Sequence, residues 1–476
     1  MAPAAVSPGV QDVDLTSSAI ERKLDALPVK NGSAVGVSAD ANGKKVSQPA
    51  ELDASKLVFT RNTNPRAVPS EAVANSGTQT ICTDHMITAT WNATTGWAAP
   101  ELKAYGPLSL MPTASVLHYA TECFEGLKCY RGEDGRLRLF RPSLNAARML
   151  MSTLRISLPA FPPAELEKLL HALLAVDGPK WLPRDRPGSF LYIRPTMIGT
   201  QSQLGVQAPS EAMLYIIVSF MPRMDSPPGG MRLHTSPEDQ VRAWVGGFGY
   251  AKVGANYGPS LAATVEARKR GFGQILWLYG EDQLCTEAGA SNFFVAWKSK
   301  QDPSKIELVT APLDDRLILD GVNRRSVVAL ARERLAGEVN VVERKYSIDE
   351  VIEADAEGRL LESFATGTAY FVCPISLIHH RGKDINIGMG SGEGGELTLK
   401  LKGYMRDIMY GGEEHEWAVT YFVCPISLIH HRGKDINIGM GSGEGGELTL
   451  KLKGYMRDIM YGGEEHEWAV TVQEEQ

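Results

Sequence analysis

The end of the chain carries a tandem repeat in which no residue differs. Residues 370–420 recur as residues 421–471. Solenoid repeats drift in sequence and need about three copies to bury a shared core, so this pair does not indicate a solenoid. An in-frame duplication or an error in gene assembly explains it better. Because one position in a folded domain cannot hold two segments, we predict that the copy following Thr368 completes the fold and that residues 421–471 are surplus.

The length of the chain predicts two folded domains. It has 476 residues, of which 43% are hydrophobic, and a single core stops growing near about 250–300 residues. A cluster of chain breakers at 224–230 marks the connection between the domains. The predicted order is a disordered leader at 1–54, a small α/β domain at 55–225, a linker at 226–235, a larger domain at 236–420, the surplus copy at 421–471 and a tail at 472–476.

Charge and cysteine spacing exclude several classes of function. The net charge is −7 and no block of Lys or Arg is present, so nothing indicates binding to nucleic acid or to a membrane surface. The six cysteines lack paired spacing, which argues against a disulfide framework or a zinc site. The adjacent His379 and His380 have no second cluster at ligand spacing, so we expect no metal site. The expected partners are small molecules or a second copy of the chain.

The N-terminal residues favour the cytoplasm. No stretch reaches the about 18–20 apolar residues of a membrane span, and the order typical of a secretory signal is missing. Mitochondrial presequences are rich in Arg and poor in acidic residues. The first 25 residues hold four acidic residues against one Arg and one Lys. We therefore expect a soluble cytoplasmic protein, with a mitochondrial location as the alternative.

Periodic segments predict a mixed α and β structure. Runs rich in β-branched and aromatic residues at 274–279, 292–297 and 306–310 predict strands. A helix is expected to open at Pro163 because leucines recur there at helical spacing. Ser347 followed three residues later by Glu350 predicts another helix start. Both halves of the chain therefore belong to the α+β class.

One lysine lies within an apolar and glycine-rich segment at 245–259. Its sequence is Val-Gly-Gly-Phe-Gly-Tyr-Ala-Lys-Val-Gly-Ala-Asn-Tyr-Gly-Pro, and the lysine is Lys252. Burial in such a segment lowers the pKa of the amine towards nucleophilic use, as a lysine that binds an aldehyde cofactor requires. The alternative is a surface lysine on a glycine-rich loop. The segment alone does not separate the two.

Three further segments contain groups that suit a charged cofactor. Glu287 enters a strongly hydrophobic strand, where a carboxylate costs several kcal/mol unless it is paired. Its partner is then either a protonated pyridine nitrogen or a core Arg or Lys. Gly321 precedes a helix whose first N–H groups, from Val322 and Asn323, are placed to bind a phosphate. Thr368, in Ala-Thr-Gly-Thr-Ala, adds a hydroxyl to a turn able to bind an anion.

Taken in order, these residues resemble the branched-chain aminotransferase family, a group of fold-type IV pyridoxal-phosphate enzymes. The resemblance runs from about residue 58 to residue 419. It implies an α+β fold with a small N-terminal α/β domain and a larger C-terminal domain, a homodimer, and pyridoxal 5′-phosphate as the cofactor. Its closest stretches include Leu117-His-Tyr-Ala120, Cys123-Phe-Glu-Gly-Leu-Lys128, Gly254-Ala-Asn-Tyr-Gly-Pro259 and Thr366-Gly-Thr-Ala369.

The resemblance also implies how the cofactor is held. Lys252 would bind it covalently and then shuttle a proton during the reaction. Glu287 would pair with its pyridine nitrogen, and Tyr257 would donate a hydrogen bond to its phenolate. The implied phosphate ligands are Arg194, Val322, Asn323 and Thr368.

The substrate would meet a second set of residues. Tyr119 and Phe124 match positions that line the substrate pocket in the family, and Tyr119 is expected to come from the neighbouring subunit. The backbone amides of Ala369 and Tyr370 would bind the substrate carboxylate. This apolar wall suits an aliphatic side chain.

The implied reaction is transamination of L-leucine, L-isoleucine and L-valine with 2-oxoglutarate, in a ping-pong sequence through pyridoxamine phosphate. Departures from the family leave alternatives open. The loop at 225–230 lacks the aromatic residue of the usual lid, which permits an unusual aliphatic amino acid of secondary metabolism as substrate. A D-amino-acid aminotransferase or lyase of the same fold is a second alternative, and an inactive scaffold protein is a third. Tyr370 replaces the first cysteine of a C-x-x-C pair, so no thiol switch is expected.

Overall fold

The computed structural model describes residues 49–70, 81–221 and 226–420, and the backbone of short strands at 38–39, 45–46, 428–431 and 434–437. The chain divides into two units. One spans Pro49–Cys424 and the other combines Met1–Gln48 with Pro425–Gln476. The tail at 472–476, most of the leader and most of the surplus copy lie outside the described residues, as does Asp225 at the start of the predicted lid.

Strands and helices are numbered here in chain order. The strands are β1 (Ser38–Ala39), β2 (Lys45–Val46), β3 (Val58–Phe59), β4 (His85–Asn92), β5 (Gly96–Trp97), β6 (Glu101–Ala104), β7 (Glu122–Phe124), β8 (Leu127–Arg131), β9 (Leu137–Phe140), β10 (Phe190–Gly199), β11 (Glu211–Phe220), β12 (Met231–Thr235), β13 (Gln274–Tyr279), β14 (Leu284–Ala288), β15 (Ser291–Lys298), β16 (Ile306–Thr310), β17 (Val339–Glu343), β18 (Leu360–Gly367), β19 (Phe371–His380), β20 (Lys383–Asn386), β21 (Ala418–Thr420), β22 (Leu428–His431) and β23 (Lys434–Asn437). The helices are α1 (Val116–Tyr119), α2 (Pro142–Arg155), α3 (Pro163–Trp181), α4 (Leu261–Lys269), α5 (Val322–Arg334), α6 (Ile348–Ala356) and α7 (Glu396–Tyr410), with single 3₁₀ turns at Ala54–Lys56 and Gly254–Asn256.

Two sheets organise the unit from Pro49 to Cys424. The first has the strand order β21-β9-β8-β10-β11-β4-β6-β3, with β5 on β4 and β7 on β10. The second has the order β14-β13-β12-β19-β18-β15-β16-β17, with β20 on β19. Because β14 also pairs with β15, the path from β14 through β13, β12, β19 and β18 to β15 closes on itself. In the other unit, β1 pairs with β2 and β22 pairs with β23, both antiparallel.

Helix α3 covers the first sheet with the leucines that predicted it. It begins at Pro163, where the missing N–H of proline removes a donor that would have had no partner within the helix. The leucines recur every three or four residues, so one face is apolar and packs into the core. The buried leucines are Leu166, Leu169, Leu170, Leu173 and Leu174.

No helix in the described part of the chain is long and apolar enough to cross a membrane.

The capped helix start predicted at Ser347 is confirmed. The Glu350 backbone N–H donates to Ser347 Oγ at 3.2 Å, and the Ser347 backbone N–H donates to Glu350 Oε1 at 3.2 Å. These two bonds satisfy donors that a helix start leaves unpaired. The strands predicted at 274–279, 292–297 and 306–310 correspond to β13, β15 and β16.

At two places, residues that were predicted to lie in the leader or in the linker belong to the fold. The predicted leader at 1–54 includes Leu52, which is buried in the core of the first sheet. The predicted linker at 226–235 includes β12, a central strand of the second sheet. Met231, Leu233 and Thr235 alternate along β12 and are all buried, because every second side chain of a strand faces the same side. The nearby chain breakers concealed this short strand from pattern analysis.

Residues 370–420 contribute to both sheets. They form β19, which lies between β12 and β18, then β20, α7 and finally β21, which pairs with β9 of the first sheet. The guanidinium of Arg141 lies 4.1 Å from the Trp417 ring just before β21. The copy contiguous with Thr368 therefore occupies the fold, while the surplus status of residues 421–471 stays a prediction.

A matched pair of substitutions tests that prediction. Ile378 is fully buried on β19, and Ile429 is the same residue in the second copy. We expect Ile378→Asp to abolish soluble expression, because an unpaired buried carboxylate costs on the order of 4 kcal/mol or more. Ile429→Asp is expected to leave the yield and the melting temperature unchanged. Equal damage from the two substitutions would refute the surplus assignment.

Candidate active site

The backbone of Lys252 is held in place on both sides. Its carbonyl accepts the Phe124 N–H at 3.0 Å, and its own N–H donates to Ser152 Oγ at 2.9 Å. The loop that carries it is closed by Asn256, whose side-chain amide donates to the Phe248 carbonyl at 3.0 Å. The amine therefore extends from a fixed point next to β7 and α2.

The Lys252 amine lies in a partly buried aromatic environment. Its Nζ donates to the Tyr257 hydroxyl at 3.0 Å. It lies 4.6 Å from the Phe124 ring centroid and 5.1 Å from that of Tyr257. The two rings are 5.2 Å apart and shield the amine from water. Lys252 is therefore not the exposed loop lysine of the alternative interpretation.

Glu287 is a buried carboxylate with an incomplete set of partners. It is 1% exposed on β14, and its Oε1 accepts the Leu319 N–H at 2.8 Å and the Asn292 amide at 3.3 Å. Its Oε2 lies 2.5 Å from Arg242 Nε in an ion pair, but accepts no hydrogen bond of good geometry. Burial raises the pKa of Glu287, while the charges of Arg242 and Lys252 act in the opposite direction. The core arginine foreseen as an alternative partner is thus present, and one oxygen still lacks a hydrogen-bond donor.

The start of helix α5 is fitted closely to the strand that follows Glu287. A Cβ atom on Gly321 would lie 2.1 Å from Asn292 Oδ1, so any larger residue at this N-cap would displace the Asn292 amide. The N–H groups of Val322 and Asn323 belong to the first turn, where a helix has no internal acceptor for them. Both residues are buried. Their amides are available to an anion at this end of α5.

The Thr366–Tyr370 turn lies against the same helix start. The side-chain amide of Asn323 donates to the Gly367 carbonyl at 2.8 Å. Thr368 Oγ1 donates to the Gly126 carbonyl at 3.1 Å, which links the turn to the loop between β7 and β8. Thr366 Oγ1 is buried and has no hydrogen-bond partner. The predicted phosphate residues Val322, Asn323 and Thr368 are therefore close neighbours.

A buried lysine holds the end of this turn. Lys128 Nζ donates to the Ala369 carbonyl at 2.6 Å and lies 3.8 Å from the Phe190 ring centroid. The bond fixes the peptide between Ala369 and Tyr370. Those are the two residues whose amides were predicted to bind the substrate carboxylate, and Lys128 adds a positive charge beside them.

Of the other predicted residues, Arg194 lies beside Phe124, whereas the described contacts of Tyr119 are with His118 and Leu204. The guanidinium of Arg194 lies 4.7 Å from the Phe124 ring, and its Nη2 donates to the Tyr192 hydroxyl at 2.9 Å. Arg194 Nε is buried without a hydrogen-bond partner. Tyr119 is 38% exposed at the end of α1, and its hydroxyl donates to the Leu204 carbonyl. Arg194 thus has its contacts on the Phe124 side, and its predicted role as a phosphate ligand stays a prediction.

Two charged residues of the site were missed by sequence analysis. Glu125 is fully buried and accepts hydrogen bonds from Arg148 Nε at 2.7 Å and Nη2 at 2.8 Å. Arg148 Nη1 donates to the Asp320 carbonyl at 2.9 Å, next to the N-cap of α5. Asn145, whose side-chain amide also donates to Glu125 at 2.8 Å, lies three residues before Arg148 and therefore on the same face of α2. This spacing is the only signal in the sequence. That signal becomes informative only after the partners of the helix are known.

The polar groups fit pyridoxal phosphate. Glu287 Oε2, which is ion-paired with Arg242 but accepts no hydrogen bond, suits a ring N–H. The first amides of α5 and the cation Arg148 suit a phosphate. Among the residues that the structure describes, no group of three or more His, Cys, Asp or Glu side chains could hold a metal ion. These residues could therefore hold a phosphate at the start of α5, and the Lys252 amine could bind an aldehyde.

Comparison with known proteins gives a consistent result. Residues 122–378 match the family model described as amino-transferase class IV. A mitochondrial branched-chain-amino-acid aminotransferase of Schizosaccharomyces pombe is 43% identical over 375 residues, which cover 78% of this chain and 86% of that protein. A cytosolic branched-chain-amino-acid aminotransferase of Ovis aries is 41% identical over 392 residues, which cover 81% and 98%.

Solved structures show the same fold. The branched-chain aminotransferase of Thermoproteus uzoniensis with norvaline superposes with a TM-score of 0.56 at 24% identity, covering 70% of this chain and 98% of that one. The branched-chain amino acid aminotransferase of Escherichia coli gives a TM-score of 0.54 at 23% identity, covering 70% and 98%. A third branched-chain amino acid aminotransferase, complexed with N-(5′-phosphopyridoxyl)-L-glutamate, gives a TM-score of 0.52 at 26% identity, covering 70% and 97%. The expected fold is thereby confirmed.

Proposed function

The chain belongs to the branched-chain-amino-acid aminotransferases of class IV, and from that membership and its site we propose that it transfers the amino group of L-leucine, L-isoleucine and L-valine to 2-oxoglutarate. The supporting observations are the Lys252 amine, held 3.0 Å from the Tyr257 hydroxyl, and the buried Glu287 carboxylate, whose Oε2 accepts no hydrogen bond. A single cofactor ring between them would meet both groups. The two half-reactions share this one site.

The residues present suggest how pyridoxal 5′-phosphate would be held. Lys252 would bind its aldehyde, Tyr257 would donate to its phenolate, and Glu287 would meet its ring nitrogen. When bound, the cofactor supplies an aldehyde and an electron-withdrawing ring. The amides of Val322 and Asn323 would hold its phosphate. The hydroxyl of Thr368 and, as one further cation, Arg148 or Arg194 would complete that set.

The chemistry assigned to this chain's own residues is proton transfer and charge control. Lys252 Nζ, positioned by Tyr257 at 3.0 Å, would move a proton from the substrate Cα to C4′ of the cofactor in one half-reaction and from C4′ to Cα in the other. Glu287, flanked by Arg242 at 2.5 Å, would keep the ring nitrogen protonated. The rings of Phe124 and Tyr257 partly shield the amine from water.

Substrate selection would depend on Phe124, Tyr119 and the Ala369–Tyr370 peptide. Lys128 fixes that peptide through the Ala369 carbonyl, and with it the direction of the Tyr370 N–H. An apolar wall distinguishes aliphatic side chains by about 1–3 kcal/mol per methylene. Leucine and isoleucine, which have equal numbers of carbon atoms, should therefore react at similar rates. Valine, with one methylene fewer, should react more slowly, and still shorter or longer side chains should react more slowly again.

A panel of single half-reactions tests the proposed function. Holoenzyme is mixed with one amino acid and no oxo acid, and the cofactor absorbance is followed in a stopped-flow instrument. We expect leucine, isoleucine and valine to react about 10–200-fold faster than D-alanine or longer aliphatic amino acids. A preference for D-alanine would assign the chain to the D-amino-acid class, and a preference for an unusual aliphatic amino acid would assign it to secondary metabolism.

We propose that the chain forms a homodimer through an exposed apolar surface next to Tyr119. The surface joins the segments 111–119 and 200–206, which are linked by a bridge between Ala114 and Ser202. Monomeric proteins rarely expose such contiguous apolar area. We expect a dimer mass by sedimentation equilibrium and a monomer for Leu117→Asp; a wild-type monomer would contradict the proposal. Its exposed apolar residues are Met111, Leu117, Tyr119, Leu204 and Val206.

The acidic N-terminal residues support a cytoplasmic location as a further proposal. The related proteins carry either assignment, since the Ovis aries protein is called cytosolic and the Schizosaccharomyces pombe protein mitochondrial. Cell fractionation with antibodies to the full chain tests the proposal. Recovery in the mitochondrial fraction would contradict it.

A further inference from the structure

Glu125 is the most deeply buried carboxylate of the site and has no role so far. It has no exposed surface and follows β7 directly. Beyond the two bonds from Arg148, it accepts the Asn145 side-chain amide at 2.8 Å and the Gly126 N–H at 3.2 Å. Four donors around one carboxylate fix its position. A buried ion pair of this kind costs desolvation energy, so a contribution to stability does not by itself explain it.

The bonds between Glu125 and Arg148 determine where the guanidinium points. An arginine side chain has five N–H bonds in a planar fork. Two of them go to Glu125 and one goes to the Asp320 carbonyl. Two N–H bonds remain, on a guanidinium that touches the residue preceding the N-cap of α5. The bidentate pairing removes the rotational freedom that a lone arginine would have.

The charges of the cluster are consistent with an ionised Glu125. Burial alone would raise the pKa of Glu125, but Arg148 and Lys252 outweigh it and hold that pKa below its usual range. The carboxylate therefore stays negative between the two cations. Its charge keeps Arg148 at this buried position when no anion is bound.

We propose that Glu125 is a positioning residue for cofactor binding. Its carboxylate orients Arg148 so that the guanidinium and the amides of Val322 and Asn323 form one phosphate-binding site. This inference rests on the proposed function, because it assumes a phosphate-bearing cofactor at the start of α5. The alternative is a purely structural ion pair between β7 and α2.

Comparing pyridoxal phosphate with pyridoxal separates the two roles. Wild-type full-length chain, stripped of cofactor, is titrated with each compound, and the same is done for Glu125→Gln. The glutamine keeps the shape but presents an N–H donor or a neutral oxygen to Arg148, which displaces the guanidinium. We expect the affinity for pyridoxal phosphate to fall about 10–100-fold, as for other residues that orient a ligand group, and the affinity for pyridoxal to change less than about threefold.

Two further variants keep the result interpretable. Arg148→Lys should lose the same phosphate preference, and the double variant should lose no more than the larger single one, because both act through one interaction. If the glutamine variant fails to fold, Glu125→Asp is used in its place. It keeps the charge and should show an intermediate loss of affinity for pyridoxal phosphate. Equal losses for the two compounds would refute the positioning role. Failure of the wild type to bind either compound would instead refute the proposed function.

Discussion

Replacement of Lys252 by alanine is expected to lower kcat by at least about 10⁴-fold and to remove the cofactor's absorbance band near about 410–430 nm. The Lys252 amine is held next to the Tyr257 hydroxyl at 3.0 Å, and the same nitrogen atom would carry the proton to and from the substrate. Loss of both tasks exceeds the effect of a single general base. The measurements are an absorbance scan and steady-state turnover with leucine.

Two controls make the Lys252 result specific. Lys300→Ala removes an exposed lysine that pairs with Glu353 and should change neither the band nor the rate. Lys252→Arg retains the positive charge but is always protonated, so it should fail in both measurements. A normal band in Lys252→Ala would show that another residue holds the cofactor. An inactive scaffold protein would show no band even in the wild type.

The second large effect is expected at Glu287. Glu287→Gln should lower kcat by about 10²–10³-fold, because a neutral amide cannot stabilise the charge on a protonated ring nitrogen. The same change leaves Arg242 as an unpaired buried cation, which costs about 3–5 kcal/mol of unfolding free energy. The double variant Arg242→Met with Glu287→Gln should recover most of that stability and none of the activity. Recovery of activity in the double variant would contradict the ring-nitrogen role.

The pH dependence at Glu287 has a defined sign. Burial raises its pKa above the usual 4.5, so the carboxylate is protonated at a higher pH than an exposed glutamate. Wild-type kcat should fall at low pH, where the carboxylate is protonated, and Glu287→Gln should lack this acid limb. In the cofactor-free protein the sign for stability is opposite. A proton bound more tightly in the folded state stabilises it fully below pH 4.5, and this contribution is lost as the pH rises through the folded pKa.

Local chemistry made part of the site predictable. Lys252 stands out because glycines and apolar residues surround it, and Glu287 because a carboxylate is costly inside a hydrophobic strand. The start of α5 follows from Gly321 and the two residues after it. These signals come from a few adjacent positions. The reaction class and the cofactor were inferred from the family resemblance, which depends on the order of these residues along the chain.

The remaining features depend on contacts between distant segments. Glu125 and Arg148 are 23 positions apart in the chain and meet because α2 packs on β7. Arg242 reaches Glu287 from a loop 45 positions earlier, which no periodicity indicates. β12 was assigned to a linker because it is five residues long and follows a proline–glycine run. Short strands and buried ion pairs are recognised only once their partners are in place.

The pairing of β21 with β9 has a consequence for the order of biosynthesis. All strands of the first sheet except β21 have been synthesised when residue 220 has left the ribosome. The edge strand Leu137–Phe140 has no partner on its outer side until Ala418–Thr420 has been synthesised. For all that interval the nascent chain presents an open strand edge, which chaperones or a neighbouring polypeptide can cover. When Thr420 has emerged, translation supplies the same Ala-Val-Thr sequence again at 469–471. Two identical segments then compete for one edge, and the earlier one has a head start of 51 residues of synthesis.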